Sequence, residues 1–216
     1  MPERSILNEE QQQALQMPLA SRRLRTHVAR YISNLFSPAV ISIPLVILVA
    51  LYHTHNTFTA LAYAAATLFF LSAGPMLYIA VGVRLGKFTD IDVSVRSQRT
   101  GPFLFSILST LVGLFMLTIL HGPRDLQTVM LTVVLTGCAY MLITFWWKIS
   151  LHASILAGAV TMLLALYGNM MLAGYVLVVL VCWSRVVLRR HTTAQVIAGA
   201  LVSTLITIAA IAIRGV

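Results

Sequence analysis

Seven apolar runs, at about 38–53, 58–83, 102–120, 126–147, 153–168, 170–184 and 192–213, leave this chain few folds to choose from. A helix that crosses the hydrocarbon of a bilayer needs roughly 17–25 residues, so the first, fifth and sixth runs are short. They can be lengthened by flanking polar residues, tilted, or partly re-entrant, and six spans plus one shallow segment is the alternative count. With 59% hydrophobic and only 10% charged residues in 216, no soluble domain of this size fits. The expectation is an all-α, polytopic membrane bundle of six to seven transmembrane helices, in one compact domain. No internal repeat or low-complexity tract is visible.

The chain divides at about residue 36. Residues 1–36 form a polar arm and 37–216 the membrane domain. Asn8 followed by Glu9, Glu10 and Gln11 reads as a capped helix start. From Ser21 on, Leu24, Val28, Tyr31, Leu35 and Phe36 recur at helical spacing, with Arg22, Arg23, Arg25 and Arg30 among them. That pattern describes a basic amphipathic helix lying in the interface of an anionic leaflet. No cleavable signal peptide is apparent, so the first membrane segment is expected to act as its own targeting signal. Cys138 and Cys182 sit inside apolar runs and read as small buried hydrophobes rather than a disulfide or metal framework.

Three polar islands interrupt the apolar pattern, at Lys87–Arg99, Lys148–Ser154 and Ser184–Gln195. Two apolar runs separate each island from the next, so all three are expected on one face of the membrane. The arm, residues 84–101, Lys148 and residues 185–190 hold 13 of the 15 Lys and Arg, leaving Arg124 and Arg214 opposite. By the positive-inside rule that face is cytoplasmic, in a bacterial-type inner or plasma membrane. The net charge of +9 is thereby placed beside membrane, which favours headgroups and phosphate over nucleic acid as partners.

Ionisable groups at the edge of hydrocarbon cost several kcal/mol and are kept where they have work. In the first island, Lys87, Arg96 and Arg99 suit phosphate oxygens, although a ligand-free positive-inside loop is the alternative. Asp90 and Asp92 are expected to pair with Arg96 or Lys87 rather than to hold Mg²⁺, since no second acidic cluster exists. In the second, Ser150 offers a hydroxyl and His152 a general acid at a helix start, where backbone N–H groups favour an anion. In the third, His191 and Gln195 lie one helical turn apart, so the amide oxygen can accept the Nδ1 proton and leave Nε2 as a nucleophile. Arg185 can neutralise charge developing on a transferred phosphoryl group. Arg189 and Arg190 read as flanking bases that meet lipid headgroups.

Arg99, Ser150-Leu151-His152 and Ser184-Arg185, followed after five residues by His191, resemble the three motifs of the type 2 phosphatidic acid phosphatase superfamily, which also contains vanadium haloperoxidases. The resemblance covers roughly residues 84–200, and its third motif is the specific one. Its pattern is Lys, six residues, Arg-Pro; Pro-Ser-Gly-His; and Ser-Arg, five residues, His, three residues, Asp. Here Lys87 is off that spacing, no proline directly follows Arg96 or Arg99, Ile149 and Leu151 replace Pro and Gly, and Gln195 replaces Asp. The His-Thr-x-x-Gln-Val sequence at His191 is similar to the third motif of dolichyl diphosphate phosphatases.

The resemblance implies that His191 attacks phosphorus and that His152 protonates the leaving group and then activates water. Arg99, Arg185 and Ser150 would hold the phosphoryl oxygens, with Lys87 and Arg96 as helpers and Gln195 as the orienting group. No metal or other cofactor is implied. The expected activity is hydrolysis of a lipid phosphate or diphosphate, such as a polyprenyl (di)phosphate, phosphatidic acid or phosphatidylglycerophosphate. The alternative is a non-catalytic lipid-binding or assembly protein on the same scaffold. A transporter or channel fits less well, because the midplane is nearly free of charge.

Overall fold

A computed structural model describes residues 19–215, and every regular element among them is helical. The helix start expected at Asn8 lies outside the described residues. Helix α1 (Leu19–Leu35) is followed by α2 (Pro38–His53), α3 (Thr57–Leu68), α4 (Gly74–Arg84), α5 (Thr100–Ile119), α6 (Arg124–Thr144), α7 (Leu151–Tyr167), α8 (Gly174–Val187) and α9 (Thr193–Arg214). Short polar signals set the boundaries. Pro38 opens α2, where a missing N–H costs nothing, and the Asn56 side chain accepts from the Thr59 amide at 3.1 Å to start α3. Gly168, at a φ of 77° that side-chain-bearing residues avoid, ends α7.

The protein is an integral, multi-pass membrane protein. Five helical segments are long and apolar enough to span: Thr57–Arg84, Arg96–Ile119, Arg124–Thr144, Asn169–Val187 and Thr193–Arg214. A sixth is present if α1 and α2, bent by 43° at Phe36–Ser37, count as one broken span. The sixth apolar run reaches 19 residues because a 3₁₀ turn at Asn169–Ala173 joins α8. Helix α7 has 17 residues, about 25 Å, at the lower limit for crossing. It packs on α2, α8 and α9 and is central to the bundle, which is why it is apolar nearly all round.

The pairing of α7 with α9 is the most extensive in the fold. Without a hydrophobic driving force between helices in lipid, close approach depends on small residues. At Gly158 of α7, a Cβ would come within 2.6 Å of the Ser203 hydroxyl of α9. The main core lies between α2, α3, α6 and α7, around Val46, Val49, Ala60, Leu126 and Met130. A second cluster, around Leu156 and Val181, takes Ile32 and Phe36 from the region of α1. At the end of the bundle away from the three islands, Arg214 donates to the Gln127 side chain at 2.8 Å.

Helices α3 and α4 are joined through a π-helical segment, Phe69–Ala73. Pro75 cannot supply an N–H to the Phe70 carbonyl, five residues back. The Ser109 hydroxyl of α5 donates to that carbonyl instead, at 2.7 Å. Ser109→Ala is therefore expected to destabilise the protein by about 1–3 kcal/mol, read as a lower thermal midpoint in detergent. An unchanged midpoint would show that this carbonyl finds another donor.

Candidate functional site

The three polar islands converge at one end of the bundle. Asp92 and Arg99 of the first, His152 of the second and Arg185 and His191 of the third line a single cavity of about 400 Å³. Arg99, His152, Arg185 and His191 are 5–8% exposed, so four ionisable side chains are almost removed from water. Such burial is costly unless each group is held or has a ligand to meet.

The first island is a loop folded on itself. The Asp90 carboxylate accepts from the Ser94 amide (3.2 Å) and hydroxyl (3.1 Å) and from the Thr89 hydroxyl (3.1 Å). Val93 adopts a φ of 45°, a conformation that costs a β-branched residue about 1–3 kcal/mol. That turn aims its carbonyl at Arg99, whose Nε donates to it at 2.9 Å, while NH1 donates to the Ile149 carbonyl at 3.4 Å. Arg99 thus ties the first island to the second. The expected pairing of the two aspartates with Arg96 or Lys87 does not occur. Asp90 is satisfied within its own loop, and Asp92 faces Arg185 at 3.9 Å. Lys87 and Arg96 are exposed and lie outside the cavity lining.

In the second island, Ser150 precedes α7 and His152 sits in its first turn. Ser150 is fully buried, and its hydroxyl has no hydrogen-bond partner. The backbone here lies hard against α9. The Ser150 amide donates to the Gln195 carbonyl at 3.4 Å, and a Cβ on Gly199 would stand 2.7 Å from the Ser150 carbonyl oxygen. Tyr140 of α6 donates to the Gly199 carbonyl at 2.7 Å from the other side.

In the third island, the Arg185 carbonyl accepts from the amides of Arg190 (3.0 Å) and His191 (3.4 Å), with Arg189 turned to a φ of 53°. That tight turn brings His191 back over the end of α8. Ser184 is spent within its helix, donating to the Val181 carbonyl at 2.8 Å. Arg190 reaches the first island, donating to the Ser94 hydroxyl at 3.1 Å, rather than standing free as a flanking base.

A capping box starts α9. The Thr192 hydroxyl accepts from the Gln195 amide (3.3 Å), and Gln195 Oε1 accepts from the Thr192 amide (3.1 Å). The same Oε1 lies 3.2 Å from His191 Nδ1. Because an N–H already points at that atom, it is the amide oxygen, and Nδ1 must be the protonated nitrogen of a neutral ring. The lone pair is then on Nε2.

Charge reinforces that state. Burial, then the positive charges of Lys148, Arg185 and Arg99, push the His191 pKa down to about 3, against the raising effect of Gln195. The Lys148 pKa is itself lowered, by burial and then by Arg99, Arg185 and Arg190. Lys148 and Arg190 therefore belong to the same positive field, and Asp92 is its nearby counter-charge. Sequence reasoning had Lys148 within the second island but gave it no role. Among the described residues, no three His, Cys, Asp or Glu side chains converge as a metal site would require.

A folded-state pKa of about 3 against an ordinary 6.5 has a definite pH sign. Below pH 6.5 the unfolded chain takes up a proton that the folded site refuses. The stability that His191 contributes is complete above pH 6.5 and is lost as pH falls towards 3. The ¹⁵N signal of His191, assigned by its absence in His191→Asn, should remain that of a neutral ring from pH 7.5 to 5. A titration midpoint above 6 would contradict the cationic environment described here.

These features gather two buried guanidinium groups and an unprotonated imidazole nitrogen in one mostly apolar cavity.

No protein-family model, curated protein or solved structure matches this chain.

Proposed function

We propose that this chain is a membrane phosphatase that removes phosphate from a lipid phosphate or diphosphate through a phosphohistidine at His191. One observation carries the reading. His191, His152, Arg99 and Arg185, drawn from three separate polar segments, line one part of a cavity whose remaining lining, Asp92 aside, carries no charged residue and is mostly apolar. The cavity runs along α7 from His152 to Met162, about 15 Å, and past Val129 of α6 and Thr207 of α9. An amphiphile fits that division, with its phosphate among the cations and its tail in the interior.

In the first step Nε2 of His191 forms a bond to phosphorus while the bond to the leaving oxygen breaks, and His152 gives that oxygen a proton. In the second, water attacks phosphorus as His152 takes its proton, the P–N bond breaks and inorganic phosphate leaves. Arg99 and Arg185 neutralise the equatorial oxygens, with the α7 N-terminus as a further donor, whereas Ser150 lies outside the cavity lining. A phosphate of charge near −2 beside His152 supplies the counter-charge that favours its protonated form. Lys87 and Arg96 have no part in this scheme. Fixed cations take the role of a metal, so turnover is independent of divalent ions. Polyprenyl phosphate or diphosphate is the preferred substrate class, because the His191–Val196 sequence is similar to that of dolichyl diphosphate phosphatases.

The distribution of Lys and Arg supports a site at the cytoplasmic face of a bacterial-type inner or plasma membrane. In a background lacking Cys138 and Cys182, single cysteines at Gln98 and Arg190 should both react from the cytoplasmic side. Labelling from opposite sides would break the one-site reading.

A second reading, a lipid-phosphate binder without turnover, is favoured by Gln195, which orients His191 but brings no negative charge to an imidazolium. The deciding experiment presents the purified protein with a panel of polyprenyl phosphates, polyprenyl diphosphates, phosphatidic acid and phosphatidylglycerophosphate in the presence of EDTA. Phosphate release from at least one supports the phosphatase. Binding with no release from any supports the second reading.

A further inference from the structure

Helix α1 lies outside the three polar islands, yet it touches the site. Its Ser33 is buried, and the Ser33 hydroxyl accepts a hydrogen bond from NH1 of Arg185 at 2.7 Å, across 152 residues of sequence. The other terminal nitrogen of Arg185 faces Asp92 at 3.9 Å, and Nε has no partner. The guanidinium is therefore held firmly on one side only, by α1. A planar donor fork binds phosphate well only when its orientation is set, so whatever moves α1 moves the anion site.

What holds α1 is legible on its surface. The face bearing Ala29 and Ser33 is buried, and α1 packs along α8. Leu24, Val28, Tyr31 and Leu35 form a separate stripe at helical spacing, and all four are exposed. Arg23, Arg25 and Arg30 flank the stripe and are exposed as well. The helix has no acidic residue. Apolar side chains between cations, on a helix joined directly to a membrane segment, complement an anionic lipid leaflet: acyl chains for the stripe, headgroup phosphates for the arginines. A soluble protein partner would leave the adjoining lipid unused.

We propose that α1 docks on anionic lipid and, through Ser33 as a positioning residue, holds Arg185 in the orientation that binds phosphate. Anionic lipid then acts as an activator of the site as well as its surroundings. The coupling rests on Arg185 being part of an anion site, as in the function proposed above, whereas the docking of α1 does not.

The full-length protein would be placed in nanodiscs of phosphatidylcholine alone or with phosphatidylglycerol added. Two quantities are read: the depth of a spin label at Val28→Cys, and the affinity for inorganic phosphate by calorimetry. Added phosphatidylglycerol should bury the label and tighten phosphate binding by at least about fivefold. Replacing Arg23, Arg25 and Arg30 together by Gln should abolish both effects. Ser33→Ala should keep the change in label depth but lose the lipid dependence of phosphate affinity. A merely structural role for Ser33 would instead weaken binding equally in both bilayers, and that result overturns the coupling. A label depth indifferent to phosphatidylglycerol overturns the docking. Phosphate binding absent from both bilayers, with docking intact, overturns the anion-site reading and the coupling with it.

Discussion

His191→Ala is expected to lower phosphate release by at least about 10⁴-fold, to the background of the assay, while leaving the fold in place. The size follows from the proposed role. A nucleophile cannot be replaced by the cations around it, and those cations alone retain only binding and charge stabilisation. The fold should survive because the start of α9 does not need the imidazole. The Gln195 side chain keeps the Thr192 amide, and Thr192 keeps the Gln195 amide. Loss of a buried neutral ring should shift stability by no more than about 1–3 kcal/mol. During turnover of a ³²P-labelled substrate, wild-type protein should carry an acid-labile, alkali-stable label that His191→Ala lacks. Release persisting in the variant would rule out the phosphohistidine.

The second large effect is expected at a residue with no reactive group. In Gly199→Val, the new Cβ would stand 2.7 Å from the Ser150 carbonyl and 3.6 Å from the Ile149 side chain. Backbone cannot give way as a flexible side chain does, so the segment that delivers His152 must move off α9. Overpacking of this kind costs about 1–3 kcal/mol. Displacing a catalytic group by about 1 Å costs on the order of 10²-fold in rate. Gly199→Ala should fall between wild type and the valine variant. Ile197→Ala, on the exposed side of the same helix, should change neither stability nor rate. A Gly199→Val protein with normal turnover would mean that the spacing of α7 and α9 does not set the position of His152.

The helices were legible because hydropathy alone decides them in lipid. Each apolar run is helical, the run at about 58–83 as α3 and α4 with the π-helical segment between them, and the run beginning near residue 170 gained its full length from the turn at Asn169. The π-helical segment was hidden, since a shift of one residue within Phe69–Ala73 leaves an all-apolar window unchanged. At the site, residue type pointed to Arg99, His152, Arg185 and His191, because charge beside hydrocarbon is conspicuous. What sequence could not convey was who holds them. Arg99 is gripped by two carbonyls, and every residue has a carbonyl. Arg185 is gripped by a serine, Ser33, in a helix whose arginines and apolar stripe drew attention elsewhere. Lys87 and Arg96 shared the charge of the true lining residues but stand on the outer side of their loop, a distinction that composition does not carry.

The Gln195 oxygen serves two donors at once, the amide that begins α9 and the Nδ1 proton of His191. Fraying of the first turn of α9 and loss of the reactive tautomer are consequently one event. Each excursion that opens the helix end also frees the imidazole to exchange its proton between nitrogens. Hydrogen exchange at the Thr192 amide would thus count the fraction of molecules with a poised nucleophile. On the proposed mechanism, cosolvents or lipids that merely tighten a helix terminus would change the fraction of competent protein without touching the chemistry.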